Sequence, residues 1–495
     1  MAYSRPGVYV SEGAFSTTST VGAATVAAGF VGTASRGPVV PTRVNSWTAY
    51  KALYGDIDSA YDLPYAVYHY FTNGGRSAFV SRVYDSSHAA AASVNVAGTV
   101  NGGGSTTVFK VSAENAGVWG NSLTVTTTAG LVTGNEPTFN LIVKLDGTEV
   151  ERWSEVSLDL SSNRYLDTVV NTYSTYIRVS NVAAYTSAFT VTAAANSALA
   201  SGSDGVSVAN GDWNDAVSRF DSVTEELVLN LVNMTTAAVV NNALTYAENR
   251  GDVFVVIDPA TVTNGADAVS AISGYSASSY GAVYYPKLKM VDPSKTGAAA
   301  IRDTAPGGAL LGLYSRVEAE RTVAKAPAGY AYDLRGAFGL VTTFTEAEQG
   351  TMYDAHVNTL KAVPGAGVIV NGARTLKKTD ITKFVPTRRS LNYVKAQAKR
   401  LTEFAVFEPN NDRLWTTIEV RLSKFLSEFW SAGGLKGGTA AQAFYILCNS
   451  TNNTSTTIEN GEVHVEVGVA LQTPAEFIVI EVSQFTGGST LTENV

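Results

Sequence analysis

LVLNLV (227–232), VFVVIDP (253–259) and GAVYYPKL (281–288) are short apolar runs separated by stretches with helical spacing. The first spacer, AAVVNNALTYAENR (237–250), predicts one helix, and a second helix is expected from about Ala266 to Gly274. Short apolar strands that alternate with helices form βαβ units with right-handed crossovers, so their sheet is parallel. This part of the chain therefore predicts an α/β core.

Residues 21–87 follow a similar order of strand, turn, helix and strand. The run DLPYAVYHYF (62–71) predicts a helix with one apolar face. The side chains at helix spacing on that face are Leu63, Val67, Tyr70 and Phe71. We expect this helix to cover a sheet that residues 21–87 share with residues 206–375.

Between about residues 88 and 205 the composition shifts to Thr, Ser, Val, Ala and Asn, with few charges. Runs such as TTVFKVS (106–112) and TFNLIVKL (138–145) alternate with a period near two, which is typical of strands. One helix is expected within NRYLDTVVNTY (163–173), with one face formed by Tyr165, Val169, Val170 and Tyr173. We predict a β-rich surface domain inserted into the α/β domain.

The last 120 residues combine two amphipathic helices with strands. The first helix is expected from about Arg388 to Glu403, and the second follows EPNND (408–412), whose side chains can cap it, and stops at Gly433. Two strands are expected beneath them, AFYILC (443–448) and EVHVEVGVAL (462–471). The predicted fold class is α/β and α+β multidomain: an α/β core, an inserted β-rich domain and an α+β C-terminal domain, with extended arms at both ends.

These patterns define four predicted regions. They are an N-terminal arm (1–20), an α/β middle domain (21–87 with 206–375), the inserted β-rich domain (88–205) and a C-terminal domain with a terminal arm (376–495).

The N-terminal arm contains a strand with no local partner, formed by Pro6, Gly7, Val8, Tyr9 and Val10. Such a strand gains nothing from ordering unless its backbone groups pair with a sheet elsewhere. The candidate pairing residues of the last strand are Phe477, Ile478, Val479, Ile480, Glu481 and Val482. Because that strand can also complete its own sheet, we expect the N-terminal strand to be the donor, the C-terminal domain the acceptor and the last strand a shared linker.

Composition and charge narrow the range of functions. The chain has 495 residues, of which 45% are apolar and 16% charged, and its net charge is −8. A nucleic-acid-binding protein would normally carry an excess of Lys and Arg, so direct nucleic-acid binding is not expected. The first thirty residues lack a secretory pattern, and no run of roughly 18 apolar residues occurs. We expect assembly in the cytoplasm without membrane insertion.

The titratable residues show no catalytic or metal-binding pattern. None of the four histidines has a second His or Cys at ligand spacing; they are His69, His88, His356 and His464. No phosphate-binding loop, HExxH, GxSxG or GxGxxG motif occurs. Asp258 ends a strand, where α/β enzymes often place a functional carboxylate, but no glycine-rich loop or paired acid accompanies it, so Asp258-Pro259 is expected simply to begin a turn. We expect no catalytic residue, cofactor or metal, and hence no enzyme.

Charge is segregated between Arg374 and Arg400, where nine Lys and Arg residues stand against the single acid Asp380. One reading is a solvated helix face. The other is an electrostatic contact with an acidic protein partner, because the stretch has too few interleaved aromatic residues to favour nucleic acid.

Several stretches match blocks of one known family. They are RPGVYVSE (5–12), GFVGTASRGPVVPTRVNSWTAYKALYG (29–55), YAVYHYFTNGGRSAFVSRV (65–83), AENAGVWGNSLTV (113–125), VERWSEVSLD (150–159), YYPKLKMVDP (284–293), RVEAERTVAKAPAG (316–329), FEPNNDRLWTTIEVRLSKFLSEFWSAGGLKGG (407–438) and PAEFIVIEVSQF (474–485). Together they resemble the tail sheath proteins of contractile-tailed bacteriophages, whose core is shared with R-type pyocins and type VI secretion sheaths. One departure is APGGA (305–309), where the family usually has Pro-Pro-Ser-Gly.

The resemblance implies a structural subunit stacked in six-fold rings around a tail tube, with both arms adding strands to neighbouring sheets. The implied partners are further copies of the chain, the tail tube protein, and the baseplate and tail terminator proteins of a virion. Because the family attaches to its tube through the C-terminal domain, the implied tube-facing residues are Arg388, Arg389, Lys395, Lys399 and Arg400. Contraction would follow from rearrangement between two lattices, without nucleotide.

Two other classes compete with this interpretation. A secreted or surface adhesin would explain the Thr- and Ser-rich β domain but predicts an export signal. An α/β hydrolase or transferase predicts clustered catalytic groups.

Overall fold

The computed structural model describes residues 26–100, 104–132, 138–180, 189–476, 482–486 and 489–493. The chain divides into two compact units. The α/β unit comprises Thr25–Arg316 and Ala328–Gly372, and the C-terminal unit comprises Val317–Pro327 and the chain from Ala373 onward.

The first elements of the α/β unit follow the predicted order. They are β1 (Ala27–Thr33), β2 (Thr42–Val44), α1 (Trp47–Tyr54), α2 (Leu63–Thr72) and β3 (Ala78–Val83). Pro64 lies in the first turn of α2, where its missing N–H costs no hydrogen bond. Leu63, Val67 and Tyr70 are buried on the predicted face of this helix.

The next elements form the β-rich segment. They are β4 (Ser93–Val100), β5 (Thr106–Ala113), β6 (Leu123–Ala129), β7 (Phe139–Leu145), β8 (Thr148–Val156), α3 (Leu166–Tyr173), β9 (Ile177–Ser180), β10 (Phe189–Val191) and β11 (Ala194–Ala198). They make two four-stranded antiparallel sheets around one apolar core. The predicted face of α3 is wrong at Tyr173, which ends the helix and is 72% exposed, whereas Leu166 and Val170 are buried.

The α/β unit then continues through alternating helices and strands. They are α4 (Asn210–Ser218), β12 (Leu227–Leu231), α5 (Ala237–Arg250), β13 (Val253–Ile257), α6 (Gly265–Ala271), β14 (Gly281–Tyr285), β15 (Leu288–Val291), β16 (Ile301–Thr304), α7 (Gly307–Glu320), β17 (Ala337–Leu340), α8 (Glu346–Asp354), β18 (Asn358–Val363) and β19 (Gly367–Asn371). Gly251 ends α5 in the left-handed conformation at φ 78°, which a glycine adopts without strain.

One eight-stranded sheet organises this unit, in the order β19-β18-β14-β13-β12-β1-β3-β2. Its six inner strands are parallel, and an antiparallel strand closes each edge. Strands from before and after the β-rich segment thus share one sheet, and the predicted fold class, an α/β core with a β-rich insertion and an α+β C-terminal part, is confirmed.

The β-rich segment is fastened where the chain enters and leaves it. Ala90 and Ser203 exchange two backbone hydrogen bonds of 2.9 Å. The buried Asp85 carboxylate accepts hydrogen bonds from the backbone of His88 on the way in (3.1 Å) and of Val206 on the way out (2.9 Å). These bonds, with the Val206 contact first, hold the pKa of Asp85 well below its usual range.

Helix α7 approaches α2 very closely. A Cβ added at Gly308 would overlap the backbone carbonyl of Ala66, and one added at Gly312 would lie 2.5 Å from the carbonyl oxygen of Tyr70. Two glycines four residues apart therefore let the two helix backbones touch. The APGGA departure noted in the sequence includes the first of them.

We expect Gly312→Ala to lower the free energy of unfolding by about 1–3 kcal/mol, because the new methyl group overlaps a backbone that has no room to shift. The matched control is Gly350→Ala, since Gly350 is also helical and an added Cβ there meets nothing within 4 Å. That variant should be as stable as the parent or up to about 1 kcal/mol more stable. Chemical denaturation measures both, and equal effects would contradict the close approach.

The C-terminal unit contains α9 (Val385–Thr402), α10 (Asp412–Ser431), β20 (Phe444–Leu447), α11 (Ser455–Glu459), β21 (Glu466–Val469), β22 (Val482–Thr486) and β23 (Ser489–Glu493). Asn411 caps α10 as predicted, accepting from the backbone N–H of Leu414 at 3.1 Å. Helix α9 begins three residues before the predicted start, because Pro386 suits its first turn. The apolar faces of α9 and α10 pack with the antiparallel β20–β21 pair in two buried clusters.

Candidate functional site

The parallel sheet changes direction between β1 and β12, since the chain continues outward from β1 to β3 on one side and from β12 to β13 and β14 on the other. Doubly wound sheets usually bind ligands at the carboxyl ends of strands at this point. Asp258 follows β13 there, and Asn233 follows β12.

The side chain of Asp258 is bound to backbone groups. It is 1% exposed, and its two oxygens accept hydrogen bonds from the N–H of Asn233 and from the N–H of Gly307, both at 2.8 Å. Gly307 is the first residue of α7, so the carboxylate caps that helix. Burial raises the pKa of Asp258 to about 6. Both oxygens are therefore used in hydrogen bonds to the backbone, which favours a structural role for Asp258 over a functional carboxylate.

Further polar side chains near the carboxyl ends of these strands bind one another. Lys287 donates to Asn233 Oδ1 at 2.8 Å, and Asn233 Nδ2 donates to Asp62 Oδ2 at 2.8 Å. Arg302 donates to the other oxygen of Asp62 at 2.8 Å. The edge is therefore crossed by a chain of hydrogen bonds between the protein's own side chains.

Asp258 makes stability depend on pH in a defined direction. Its pKa is higher in the folded than in the unfolded protein, so the folded state binds more protons between about pH 4 and 6. Relative to an Asp258→Asn variant, the parent should gain up to about 3 kcal/mol of stability as the pH falls from 7 to 4. Denaturation curves of both proteins at several pH values test this. The free energy of unfolding of the parent minus that of the variant should rise as the pH falls, and a value that stays constant or decreases would be inconsistent with the prediction.

Among the residues described, no group of three or more His, Cys, Asp or Glu side chains could hold a metal ion. In the same part of the chain, no helix is long and apolar enough to cross a membrane.

The basic stretch of α9 is not a uniform surface. Arg388 and Arg389 are each only 2% exposed, and Arg389 forms an ion pair with Glu318 inside the C-terminal unit. Both were predicted to face the tube, but the first half of α9 is buried on all sides, so neither side chain reaches the surface of the described unit.

The second half of α9 does reach the surface. Lys395 is partly exposed, and Lys399 and Arg400 are exposed. Elsewhere in the stretch, Lys377 pairs with Asp380 at 2.6 Å. Of the five predicted tube-facing residues, the last three thus reach the surface of the unit.

The buried pair gives a prediction about folding. Arg389→Met leaves the Glu318 carboxylate buried without this arginine and should destabilise the protein by about 3–5 kcal/mol. The double variant Arg389→Met/Glu318→Met removes both charges and should recover most of that loss. Thermal unfolding compares the variants, and a single variant as stable as the parent would contradict the pairing.

The predicted arm residues stay a prediction, because all but one of them are outside the part of the chain that the structure describes. Pro6, Gly7, Val8, Tyr9 and Val10 lie outside the described residues, as do Phe477, Ile478, Val479, Ile480 and Glu481. Val482 begins β22, which pairs antiparallel with β23, Val482 being opposite Glu493.

Phe407 is one of several exposed apolar side chains that the sequence did not predict. Phe407, in the turn between α9 and α10, is 89% exposed and has a φ of 67°, which is unusual for a bulky residue. The turn is held by Asn410, which accepts from Trp415 Nε1 at 2.8 Å and donates to the carbonyl of Glu462 at 2.9 Å. FEPNND at 407–412 predicted only the cap, because neither exposure nor a positive φ can be read from the letters.

Comparison with known proteins places these features in context. Residues 377–485 match the family model of the phage tail sheath C-terminal domain. The resemblance to contractile tail sheath proteins is confirmed. No curated protein matches the chain.

Solved sheath structures share the fold over nearly the whole chain. A chain of the six-fold symmetrised baseplate of the anti-feeding prophage is 21% identical, with a TM-score of 0.60, and the match covers 98% of this chain and all of that one. The helical sheath of the anti-feeding prophage in its contracted state is 20% identical, with a TM-score of 0.57 and coverage of 98% and 100%. A sheath tail protein from Listeria innocua is 12% identical, with a TM-score of 0.63 and coverage of 91% and 96%.

Proposed function

We propose that this sheath-like chain is the structural subunit of a contractile sheath, which polymerises around a tail tube and contracts to drive the tube through a host envelope. The observation that supports this most directly is the fold match across 98% of the chain to a contracted helical sheath. The use of Asp258 and its neighbours in internal hydrogen bonds is consistent with a structural rather than a catalytic role.

The proposed assembly is a helical stack of six-membered rings. One similar chain comes from a six-fold symmetrised baseplate, which supports six-fold rings here. Contacts between copies are heterologous, because different surfaces meet, and a rotation that does not close yields a helical tube. The proposed donor strand is Pro6–Val10 and the acceptor is the C-terminal domain, with residues 477–482 as a shared linker.

The proposed domain roles follow the four predicted regions. In this proposal the lattice contacts are made by the C-terminal domain (376–495) and the arm (1–20). The wall of the sheath is formed by the α/β domain (21–87 with 206–375), and the β-rich domain (88–205) lies on the outer surface. Further partners are the tail tube, baseplate and tail terminator proteins of a virion assembled in the host cytoplasm.

Contraction in this proposal needs no nucleotide. The extended lattice is kinetically trapped at assembly, and its subunits rotate into better-packed contacts when a signal from the baseplate releases one end. Arms that stay paired carry the change from ring to ring.

Negative-stain microscopy of the purified chain tests the proposal. We expect long hollow tubes or stacked rings, and the adhesin and hydrolase classes predict neither. Monodisperse monomers at every salt concentration would refute the proposed function.

Tube contact is proposed for Lys395, Lys399 and Arg400. We expect Lys399→Glu/Arg400→Glu to reduce assembly on purified tail tubes, because each exposed ion pair is worth about 0.2–1 kcal/mol and is repeated in every subunit. The matched control is Lys424→Glu, since Lys424 is 78% exposed on the other long helix of the same unit. Co-sedimentation at low and high salt measures the effect; equal binding by the double variant and the control would exclude this surface.

A further inference from the structure

Strand β8 lies at the edge of a sheet and is the longest strand among the described residues. It spans nine residues, Thr148–Val156, and the order β11-β6-β7-β8 leaves one of its sides without a neighbouring strand. In the described part of the chain, the backbone of Thr148–Trp153 forms hydrogen bonds to β7 only. Two register shifts bend the strand but do not cover its backbone groups. Such an edge is a template for pairing with another chain.

The end of β8 is covered by the chain that follows it. Ser157 forms a parallel bridge with Tyr165. The N–H of Ser157 donates to the carbonyl of Arg164 at 3.0 Å, and the N–H of Leu166 donates to the carbonyl of Ser157 at 2.9 Å. Residues 164–166 therefore lie beside the chain at the end of β8, as a neighbouring strand would.

The side chain of Arg164 extends this cover along the strand. Its Nε donates to the carbonyl oxygens of Ser154 and Glu155 at 3.1 and 3.0 Å, and its Nη2 also donates to the carbonyl of Ser154. A guanidinium carries several N–H donors in one plane, so it can bond these carbonyls in place of backbone N–H groups. One residue thus closes the end of the β8 edge, with its backbone at Ser157 and its side chain at the two preceding carbonyls.

The core of the β-rich segment does not depend on the Arg164 side chain. Arg164 is exposed, whereas Val156 and Leu166 on either side of the turn are fully buried in that core. The backbone bonds between Ser157 and residues 164–166 form whichever side chain stands at position 164. Replacing Arg164 should therefore uncover two carbonyls without unfolding the segment.

The charges on β8 favour a second β8 as the strand that would pair with an open edge. Glu149 and Arg152 lie opposite residues of β7 that are two positions apart, so they share one face of the sheet. There they form an exposed ion pair of 2.7 Å. Two copies of β8 that run antiparallel have opposite orders of these residues, so each Glu149 comes next to Arg152 of the second copy. Opposite charges on neighbouring strands stabilise such a pair.

We propose that Arg164 closes the edge of β8 against strand pairing with β8 of a second copy of this chain. This inference rests on the proposed function, in which copies join through donated strands and the β-rich domain lies on the outer surface. A chain that assembles by adding strands needs its other sheet edges closed, because an open edge would join copies in the wrong arrangement. Arg164 thus keeps the β-rich domain out of assembly and keeps finished sheaths from adhering to one another.

The first test measures self-association of the soluble full-length chain by sedimentation velocity. Arg164→Ala should self-associate at a concentration at least tenfold lower than the parent. Arg164→Met, which keeps the apolar stem and removes only the donors, should do the same and replaces the alanine variant if that variant does not fold. Arg164→Ala/Arg152→Glu places like charges next to each other in the antiparallel pair and should associate as weakly as the parent. The control is Arg76→Ala, since Arg76 is exposed outside the β-rich segment.

Amide hydrogen exchange locates the contact in the associated Arg164→Ala chain. Exchange along Thr148–Trp153 should slow at least tenfold relative to the parent, while exchange in β9, an edge strand of the other sheet, stays unchanged. Association no stronger than that of Arg76→Ala would refute the proposal, because a role in stabilising the turn predicts a loss of stability alone. Association that protects other amides but not those of β8 would refute it as well.

The assembled polymer separates this inference from the proposed function. Tubes of the Arg164→Ala chain should lie side by side in bundles in electron micrographs, whereas tubes of the parent and of Arg164→Ala/Arg152→Glu stay separate. Separate tubes of the single variant would refute the role of Arg164 in assembly. A parent chain that forms no tubes would instead refute the proposed function, while self-association of the soluble variant still decides whether Arg164 closes the edge.

Discussion

The pairing of β1 with β12 is the constraint on which the α/β unit depends. Ala27–Val31 run parallel to Leu227–Leu231, so residues 200 positions apart in sequence lie side by side. Both strands are almost wholly buried, and a parallel sheet of this kind must be covered by helices on both faces. The position of α7 follows from the need to cover this sheet. Its glycines allow close packing against α2, and the Asp258 carboxylate caps its first residue.

Much of the fold could be predicted from the sequence because its signals are local. Helix α5 occupies the predicted residues Ala237–Arg250. The cap at Asn411 could be predicted because a polar side chain that can accept backbone hydrogen bonds stands directly before an apolar helical stripe. What could not be predicted depends on distant partners. Glu318 lies 71 positions before Arg389, so a count of charges along one stretch cannot reveal that the arginine is buried, and the two backbone donors to Asp258 come from opposite directions in the chain.

The candidate surfaces differ from the catalytic or binding sites of α/β enzymes in how their polar groups are used. At the strand edge and in the first half of α9, charged side chains bind one another or backbone groups of the same unit. The polar groups that reach solvent, such as Lys399 and Arg400, lie near the end of α9. The internal charges are thus used within the subunit, and the exposed ones are the charges on which the proposed contact with a partner depends.

The fastening at Ala90 and Ser203 has a consequence for how such a chain can change over time. Antiparallel residues that exchange two hydrogen bonds have Cα atoms about 5.5 Å apart, so the β-rich segment begins and ends at almost the same place. Any self-folding module whose own termini lie that close together could replace it without altering the register of the parallel sheet. Recombination or protein engineering could therefore exchange the β-rich segment at this position while the α/β unit that carries it stays the same.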